Sequence, residues 1–214
     1  MYTGIVQATA PIERMETHPG RVQLTLRFPD VLLAELKIGA SVSVEGVCLT
    51  VTRIDGALVS FDAVEATLAA TNLGDRRAGD DVNIERSAKP GDEVGGHAMA
   101  GHVFGTATVV DLDIGAATAT LRFRAPAAAA RYIFPMGFLG VNGASLTVAA
   151  VEEDGETFRI NLIPETLRQT TFRRYRPGDR LNLEIDHQTR IMVDTIERCF
   201  RAFGPAGGAQ KAVA

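Results

Sequence analysis

The chain repeats itself at the length of a domain. Residues 44–51 (VEGVCLTV) return as residues 141–148 (VNGASLTV), and residues 79–85 (GDDVNIE) return as residues 178–184 (GDRLNLE). The offset is 97 for the first pair (141 − 44) and 99 for the second (178 − 79). Such a period is too long for a solenoid unit and matches a small domain. The sequence therefore predicts two tandem copies of one fold, with two equivalent pockets.

Both halves consist of short alternating segments separated by Gly, Asp and Pro turns, a pattern typical of small antiparallel barrels. Strands are predicted over residues 21–28, 41–45, 49–54 and 58–62 and, in the second half, over residues 117–123, 146–151 and 158–162. We expect an all-β fold with one barrel in residues 1–88 and a second in residues 97–187.

One helical pattern follows the second barrel. Apolar residues recur at three- and four-residue steps and predict an amphipathic helix over residues 190–203. Its apolar stripe comprises Met192, Ile196, Cys199, Phe200 and Phe203. The stripe either docks on the second barrel or packs against copies of itself in an oligomer. Residues 204–214 are rich in Gly and Ala, which predicts a disordered tail.

Composition excludes several classes of protein. The 214 residues carry a net charge of −4 and no Trp, and no basic stripe with interleaved aromatics indicates a nucleic-acid partner. The two cysteines form no disulfide framework. No secretory signal and no apolar run of membrane-spanning length is present. We expect a cytoplasmic protein with neither nucleic-acid nor membrane partners.

Matched positions in the two halves carry different chemical groups. The pairs that differ are Cys48 with Ser145, Asp62 with Asn161, and Gly4 with His102, whereas Thr50 is matched by an identical Thr147. Two similar pockets with unlike groups suit a reaction in which two like molecules play unlike roles. Drift after duplication would also make the halves differ.

Each candidate also has a structural interpretation. Cys48 can be a small buried hydrophobe, and the hydroxyls of Ser145 and Thr147 can satisfy backbone groups. His102 is a candidate proton shuttle, because imidazole titrates near neutrality. His97 and His102 fit no metal-ligand spacing, and alternation places them on opposite faces. No metal site is predicted.

Seven motifs occur in order along the chain. They are residues 1–6 (MYTGIV), 46–51 (GVCLTV), 72–75 (NLGD), 95–97 (GGH) with 101–102 (GH), 143–148 (GASLTV), 163–167 (IPETL) and 184–186 (EID). Together they resemble the riboflavin synthase and lumazine protein family, in particular riboflavin synthases of the alpha-chain type, from residue 1 to about residue 200. The resemblance implies two six-stranded antiparallel Greek-key barrels and a C-terminal helix that assembles a homotrimer.

The resemblance also implies a transferase reaction. Two molecules of 6,7-dimethyl-8-ribityllumazine exchange a four-carbon unit to give riboflavin and 5-amino-6-(D-ribitylamino)uracil, without metal or organic cofactor. Each barrel holds one lumazine, and the active site forms between the N-terminal barrel of one subunit and the C-terminal barrel of a neighbour. Association with lumazine synthase is also implied. The alternative within the family is an antenna protein that binds lumazine or flavin without catalysis.

The family's functional residues carry over to matching positions. By resemblance, His102 is the candidate for proton transfer and Cys48 the candidate nucleophile or polar contact in the first barrel. Hydroxyls for the second lumazine come from Ser145 and Thr147, and two supporting polar groups are Ser41 and Asp186. First-barrel ligand contacts are Gly4, Ile5, Val6, Cys48, Leu49, Thr50, Asp62, Ala63, Val64, Glu65, Ala66 and Thr67. Second-barrel contacts are Gly101, His102, Val103, Met136, Ser145, Leu146, Thr147, Asn161, Leu162, Ile163, Pro164, Glu165 and Thr166.

The chain departs from the family pattern at two places. Met136 stands where several relatives carry a lysine that reaches the neighbouring subunit's ligand, so a cationic contact is missing. Glu45 stands where an Asn is common before the first Gly-x-Cys, whereas the second copy keeps Asn142.

Overall fold

Two closed six-stranded antiparallel barrels make up most of the computed structural model, which describes residues 1–115 and 118–203. The strands of the first barrel are β1 (Ala8–His18), β2 (Arg21–Arg27), β3 (Ser41–Val44), β4 (Val47–Asp55), β5 (Leu58–Val64) and β6 (Asp81–Arg86). Those of the second are β7 (Gly105–Ile114), β8 (Ala119–Arg124), β9 (Phe138–Val141), β10 (Ala144–Val151), β11 (Thr157–Leu162) and β12 (Arg180–Ile185). The predicted fold class is confirmed. Residue 117 of a predicted strand and the predicted tail, residues 204–214, lie outside the described residues.

The duplication extends to topology and to local distortions. The strand order is β1-β2-β5-β4-β3-β6 around the first barrel and β7-β8-β11-β10-β9-β12 around the second, which is the same order shifted by six. Register shifts occur between Ile12 and Arg14, Val51 and Arg53, Val109 and Asp111, and Val148 and Ala150. A β-bulge bends a strand and increases its twist, which helps a small sheet to close.

Each barrel encloses its own apolar core. In β2, Leu24 and Leu26 are buried and Arg21 and Arg27 are exposed. Thr25 departs from strict alternation: it is also buried, with its hydroxyl 3.0 Å from that of Ser60. Short helices between the strands pack against the barrel cores. They are α1 (Asp30–Leu33), α2 (Glu65–Ala70), α3 (Ala127–Ala130) and α4 (Pro164–Gln169). None of the helices in the described parts of the chain is long and apolar enough to cross a membrane.

Helix α5 (His187–Phe203) begins three residues before the predicted start because Asp186 caps it. The Asp186 carboxylate accepts hydrogen bonds from the Thr189 backbone N–H at 2.8 Å and its hydroxyl at 2.7 Å, which satisfies a free donor of the first turn. Arg131 of the second barrel forms ion pairs with Asp194 and Glu197. The polar face of α5 therefore docks on the second barrel.

The apolar stripe of α5 faces away from that barrel. Met192 is 63% exposed, Phe200 71% and Phe203 87%. The alternative in which the stripe itself docks on the second barrel is wrong, because only Val193, which is not part of the stripe, packs against that core.

Paired asparagines join the barrels in a nearly two-fold arrangement. The Asn83 side-chain amide donates to the Asn142 carbonyl at 3.0 Å, and the equivalent Asn182 donates to the Glu45 carbonyl at 2.8 Å. The Asn83 side-chain oxygen accepts from the Thr171 N–H at 2.9 Å. Matching bonds on both sides hold the barrels in one relative orientation.

The two-fold arrangement breaks at Glu45, which is fully buried. Its carboxylate accepts from the Arg76 guanidinium at 2.9 Å and from the Tyr175 hydroxyl at 2.9 Å. Asn142, at the equivalent place in the second barrel, donates instead to the same Tyr175 hydroxyl. Glu45 departs from the family's Asn, and the structure compensates for its charge. The carboxylate is paired with Arg76, whose side chain is 18% exposed.

Candidate active site

The segments that precede the two barrels cross over between them. We call residues 1–7 the N-terminal segment and residues 95–104 the linker segment. They pair at one antiparallel bridge, where the Tyr2 N–H donates to the Met99 carbonyl at 2.8 Å and Met99 returns the bond at 2.9 Å. Val6 packs in the core of the second barrel, and Val103 packs against the core of the first. Each segment thus contributes to the barrel that it does not lead into.

The crossing brings one glycine to the central strand of each pocket. The Gly4 carbonyl accepts from the Ser145 N–H at 2.8 Å, and the Gly101 carbonyl accepts from the Cys48 N–H at 3.0 Å. A Cβ on Gly4 would lie 2.5 Å from the Ser145 Cβ, and one on Gly101 would lie 2.6 Å from the Cys48 Cβ. Both have positive φ, +74° and +76°. Only glycine fits this approach.

The grouping of contacts expected from the sequence is therefore wrong in one respect. In-order matching with each barrel places residues 4–6 in the Cys48 pocket and residues 101–103 in the Ser145 pocket. The structure places residues 4–6 beside Ser145 and residues 101–103 beside Cys48. The strands follow chain order, but the segments do not, because each crosses the pseudo-two-fold axis before entering its own barrel.

Buried carboxylates anchor the crossing segments. Glu85 accepts from the backbone N–H groups of Thr3 at 2.7 Å and Gly4 at 3.0 Å. Glu184, its equivalent in the second barrel, accepts from those of residues 100–101 at 2.7 and 3.1 Å. Burial raises the pKa of both carboxyl groups, although the N–H donors oppose that rise.

The first pocket is built around Cys48 on β4. Its half-buried Sγ accepts a hydrogen bond from the Tyr2 hydroxyl at 3.1 Å. Burial raises the pKa of Tyr2, so its phenol stays protonated and acts as a donor. Thr50 is exposed two residues further along β4, opposite Ser41 of β3. His102 is exposed beside the Gly101 carbonyl that contacts Cys48.

The second pocket is built around Ser145 on β10. Its half-buried Oγ lies 2.6 Å from His97 Nδ1. The His97 ring stacks on Phe138 with centroids 5.3 Å apart and planes at 14°. Thr147 is exposed two residues further along β10, opposite Phe138 of β9. Burial lowers the pKa of His97, and the nearby Asp186 carboxylate opposes this shift.

The remaining predicted contacts line the same edge of each barrel. The ladder between β4 and β5 pairs Val51 with Phe61, next to Thr50 and Asp62. In the first barrel this edge continues through Ala63, Val64, Glu65, Ala66 and Thr67, and in the second barrel it comprises Asn161, Leu162, Ile163, Pro164, Glu165 and Thr166. Val64 is 53% exposed and Ile163 59%.

Several predicted contacts are buried as whole residues. These residues are Val6, Leu49, Ala63, Leu146 and Leu162. Met136, by contrast, is 77% exposed and has a φ of +66°, so its side chain projects into solvent from the turn before β9. In residues 1–115 and 118–203, no group of three or more His, Cys, Asp or Glu side chains could hold a metal ion.

Tyr2 and His97 contact the pocket sulfur and hydroxyl directly but are missing from the residues predicted to form the site. Internal comparison of the halves cannot reveal them, because it pairs Tyr2 with Ala100, and His97 precedes the aligned region. The pairing of Gly4 with His102 is itself wrong by one residue. Gly101 is the counterpart of Gly4, since each accepts from the matching strand residue and donates to the matching glutamate. The expectation that His97 and His102 lie on opposite faces of one strand is also wrong. The linker segment is not a strand here; His97 contacts Ser145, whereas His102 is exposed.

Comparison with known proteins agrees with the fold and its duplication. A family model described as the lumazine binding domain matches twice, over residues 3–87 and 100–186. Riboflavin synthase of Escherichia coli strain K12 is 44% identical over 203 residues, covering 94% of both chains. Riboflavin synthase of Chlamydia pneumoniae is 39% identical over 204 residues, covering 95% of this chain and 99% of its own.

Solved structures give the same result for the fold. The crystal structure of LumP complexed with riboflavin superimposes with a TM-score of 0.82 at 25% identity, covering 87% of this chain and all of LumP. LumP complexed with 6,7-dimethyl-8-(1'-D-ribityl)lumazine gives a TM-score of 0.80 at 24% identity. The resemblance carried by the seven motifs is confirmed, and the chain belongs to the riboflavin synthases of the lumazine-binding family.

Proposed function

We propose that this protein catalyses the riboflavin synthase reaction, in which one 6,7-dimethyl-8-ribityllumazine donates a four-carbon unit to another. The products are riboflavin and 5-amino-6-(D-ribitylamino)uracil. The observation that carries the proposal is the pair of matched pockets with unlike groups at one strand position, Cys48 in the first barrel and Ser145 in the second. Relatives named riboflavin synthase match nearly the whole chain.

The reaction requires the protein mainly to position two lumazine molecules and to transfer protons. The methyl group on C7 of the lumazine is unusually acidic, because its anion is delocalised into the ring system. Two bound rings therefore need orientation, a base, and polar groups that stabilise developing charge. His102 is exposed beside the first pocket and is the proposed proton-transfer residue. The exposed hydroxyls of Thr50 and Thr147 are available to the two ligands.

A direct assay tests the proposal. Purified protein supplied only with 6,7-dimethyl-8-ribityllumazine is expected to produce riboflavin fluorescence without added metal or cofactor. One riboflavin should form for every two lumazines consumed. Tight lumazine binding without turnover would instead identify an antenna protein.

A substitution tests the role of His102. His102→Gln keeps a polar side chain but cannot transfer a proton at neutral pH. We expect kcat to fall about a hundredfold or more, with a smaller effect on lumazine binding. Equal losses in kcat and in binding affinity would contradict a proton-transfer role.

The exposed stripe on α5 supports the proposed homotrimer. Large apolar side chains on an exposed helix face usually mark an interface. In such an assembly the first barrel of one subunit would face the second barrel of a neighbour. Phe200→Asp should reduce the mass measured by light scattering from three chains to one, whereas Arg201→Ala on the same helix should not. A single-chain mass for the unaltered protein would contradict the trimer.

Association with lumazine synthase and a cytoplasmic location stay predictions. Co-elution of the two purified proteins in size-exclusion chromatography would test the association. Separate elution at micromolar concentrations would contradict it.

A further inference from the structure

Several close contacts constrain His97, although it lies outside any helix or strand. Its ring is buried, stacked on Phe138 and within 2.6 Å of the Ser145 hydroxyl. The preceding Gly96 packs so closely that a Cβ there would lie 2.2 Å from the Thr3 carbonyl oxygen and 2.6 Å from the Ser145 Cβ. Backbone, ring plane and ring nitrogen are thus all constrained relative to Ser145.

In the first barrel, the sulfur that corresponds to the Ser145 hydroxyl is contacted by a donor from the N-terminal segment. Tyr2 directs a hydroxyl proton at Cys48 Sγ, because a phenol with a raised pKa is a donor toward sulfur. A neutral imidazole can accept a proton at Nδ1 when its Nε2 carries the hydrogen. Among the described residues, none forms a hydrogen bond with His97 Nε2, which leaves Nε2 free to carry it.

We propose that His97 is a positioning residue for Ser145: Nδ1 accepts the hydroxyl hydrogen and leaves the lone pairs of Oγ directed at the ligand of the second barrel. Ser145 then acts toward that ligand as an acceptor or electron-rich oxygen. Cys48, already engaged by a donor, presents a less electron-rich sulfur to the ligand of the first barrel. The two pockets differ in the direction of one hydrogen bond as well as in one atom. The catalytic consequence rests on the proposed function.

The charge state of His97 fits this role. Burial lowers its pKa, and Asp186, at the N-terminus of α5, is the charged group that opposes the shift. The other contacts of the ring, Phe138 and Ser145, do not titrate near neutrality. At neutral pH the imidazole is therefore neutral and can accept. Below its lowered pKa it becomes a donor at both nitrogens, and the hydrogen bond to Ser145 must reverse.

Kinetics of four variants test the proposal. His97→Phe keeps an aromatic ring over Phe138 but removes the acceptor, and we expect kcat to fall about tenfold or more with KM changed less than about threefold. His97→Asn places an amide oxygen near the position of Nδ1, and it should recover most of kcat while losing the acidic limb of the pH profile. His97→Phe should cost nothing further in a Ser145→Ala background.

Other outcomes would overturn the inference. If His97→Phe and Ser145→Ala reduce kcat multiplicatively, His97 does not act through Ser145. If His97→Phe lowers only the melting temperature, the histidine merely holds the linker segment in place.

Nitrogen-15 NMR of the wild-type protein decides the direction of the hydrogen bond without any turnover. An unprotonated Nδ1 at neutral pH supports the proposal, and a protonated Nδ1 refutes it. Should the wild-type protein fail to make riboflavin, the proposed function fails, while the NMR result still decides the orientation of Ser145.

Discussion

The two barrels share a strand order and even their bulges, yet they differ in their candidate pockets and at the interface between them. In the pockets, Cys48 faces a donor, Tyr2, while Ser145 faces an imidazole, His97. At the barrel interface, buried Glu45 replaces the amide that the second copy keeps. These differences lie in the candidate pockets and at the interface between the barrels.

The pockets differ mainly because of residues outside the repeated strands. Tyr2 and His97 lie in the two crossing segments, not on equivalent strand positions. Strand residues must keep a register and a core, so few of them can change without disrupting the barrel. A crossing segment forms no strand ladder, so a substitution in it can place a different side chain beside the pocket without disrupting the barrel.

The barrel interface shows how a charge was accommodated. A buried carboxylate is unfavourable unless it is paired and its remaining lone pairs are satisfied. Arg76 and Tyr175 occupy equivalent positions in the two halves, and both contact Glu45. The substitution in one repeat is therefore matched by a cation in the same repeat.

Removing that cation should have the largest effect on stability. Arg76→Met leaves the Glu45 carboxylate buried without a counter-ion, and we expect the free energy of unfolding to fall by about 3–5 kcal/mol. Urea denaturation measures the change. Arg77→Met, on the exposed neighbouring residue, is the matched control, with an expected change within about 0.5 kcal/mol.

A double substitution sharpens the same comparison. Glu45→Asn with Arg76→Tyr copies the second-barrel pair into the first and should recover most of the loss. If Arg76→Met alone lowers the free energy of unfolding by less than about 1 kcal/mol, solvent screens the Glu45–Arg76 ion pair.

Alanine at the crossing glycines should have the next largest effect. Gly4→Ala and Gly101→Ala each add a Cβ within 2.6 Å of a neighbouring side chain at a positive φ, and should cost at least about 1–3 kcal/mol. Gly20→Ala is the control, because Gly20 has a φ of +74° and nothing within 4 Å of the added Cβ.

The same glycine variants test which segment serves which pocket. In a Cys199→Ser background, lumazine should protect Cys48 from a thiol reagent. Gly101→Ala should abolish this protection, whereas Gly4→Ala should leave it largely intact. The reverse result would restore the in-order grouping of segments and barrels.

The pH dependence of stability should reflect the two anchoring carboxyl groups. Because their pKa values are raised, the folded protein binds these protons more readily than the unfolded chain, whose ordinary value is 4.5. Their contribution is present in full below that value and is lost as the pH rises through the raised pKa. Glu85→Gln or Glu184→Gln should flatten this part of the profile, measured by denaturation between pH 4.5 and 8.

Glu153→Gln, at an exposed position, is the control and should leave the pH profile unchanged. A profile that keeps its slope in both buried variants would mean that neither carboxyl group takes up a proton on folding.

Removing the Tyr2 hydroxyl should have the smallest effect. Tyr2→Phe keeps the buried ring and loses one neutral hydrogen bond to sulfur, so we expect stability to fall by about 0.5–1.5 kcal/mol. Turnover should stay within about threefold of the wild-type value, well above that of His97→Phe. Equal losses of turnover in Tyr2→Phe and His97→Phe would contradict the proposal that the two pockets differ in the direction of this hydrogen bond.

Pattern and spacing predict seven of the twelve strands, and β1, β6, β7, β9 and β12 are not among the predicted ranges. Alternation and turn residues located strands on both sides of the Asp-Gly hairpins, because each depends on neighbours close in sequence. The repeat predicted that Cys48 and Ser145 occupy equivalent places, as the matching strands β4 and β10 place them. Asp186, expected as a supporting polar group, also caps α5, which its position before an amphipathic stretch could have indicated.

The sequence by itself determined the duplication, the barrel architecture, the amphipathic helix and the strand residues of both pockets, because local periodicity and repetition encode them. Only the tertiary structure decided which segment completes which pocket, that His97 and not His102 contacts Ser145, and that Glu45 is paired with Arg76. The Glu45–Arg76 and His97–Ser145 contacts join residues 31 and 48 positions apart, and the Gly4–Ser145 contact joins residues 141 positions apart (145 − 4). No local pattern in the sequence records contacts at such separations.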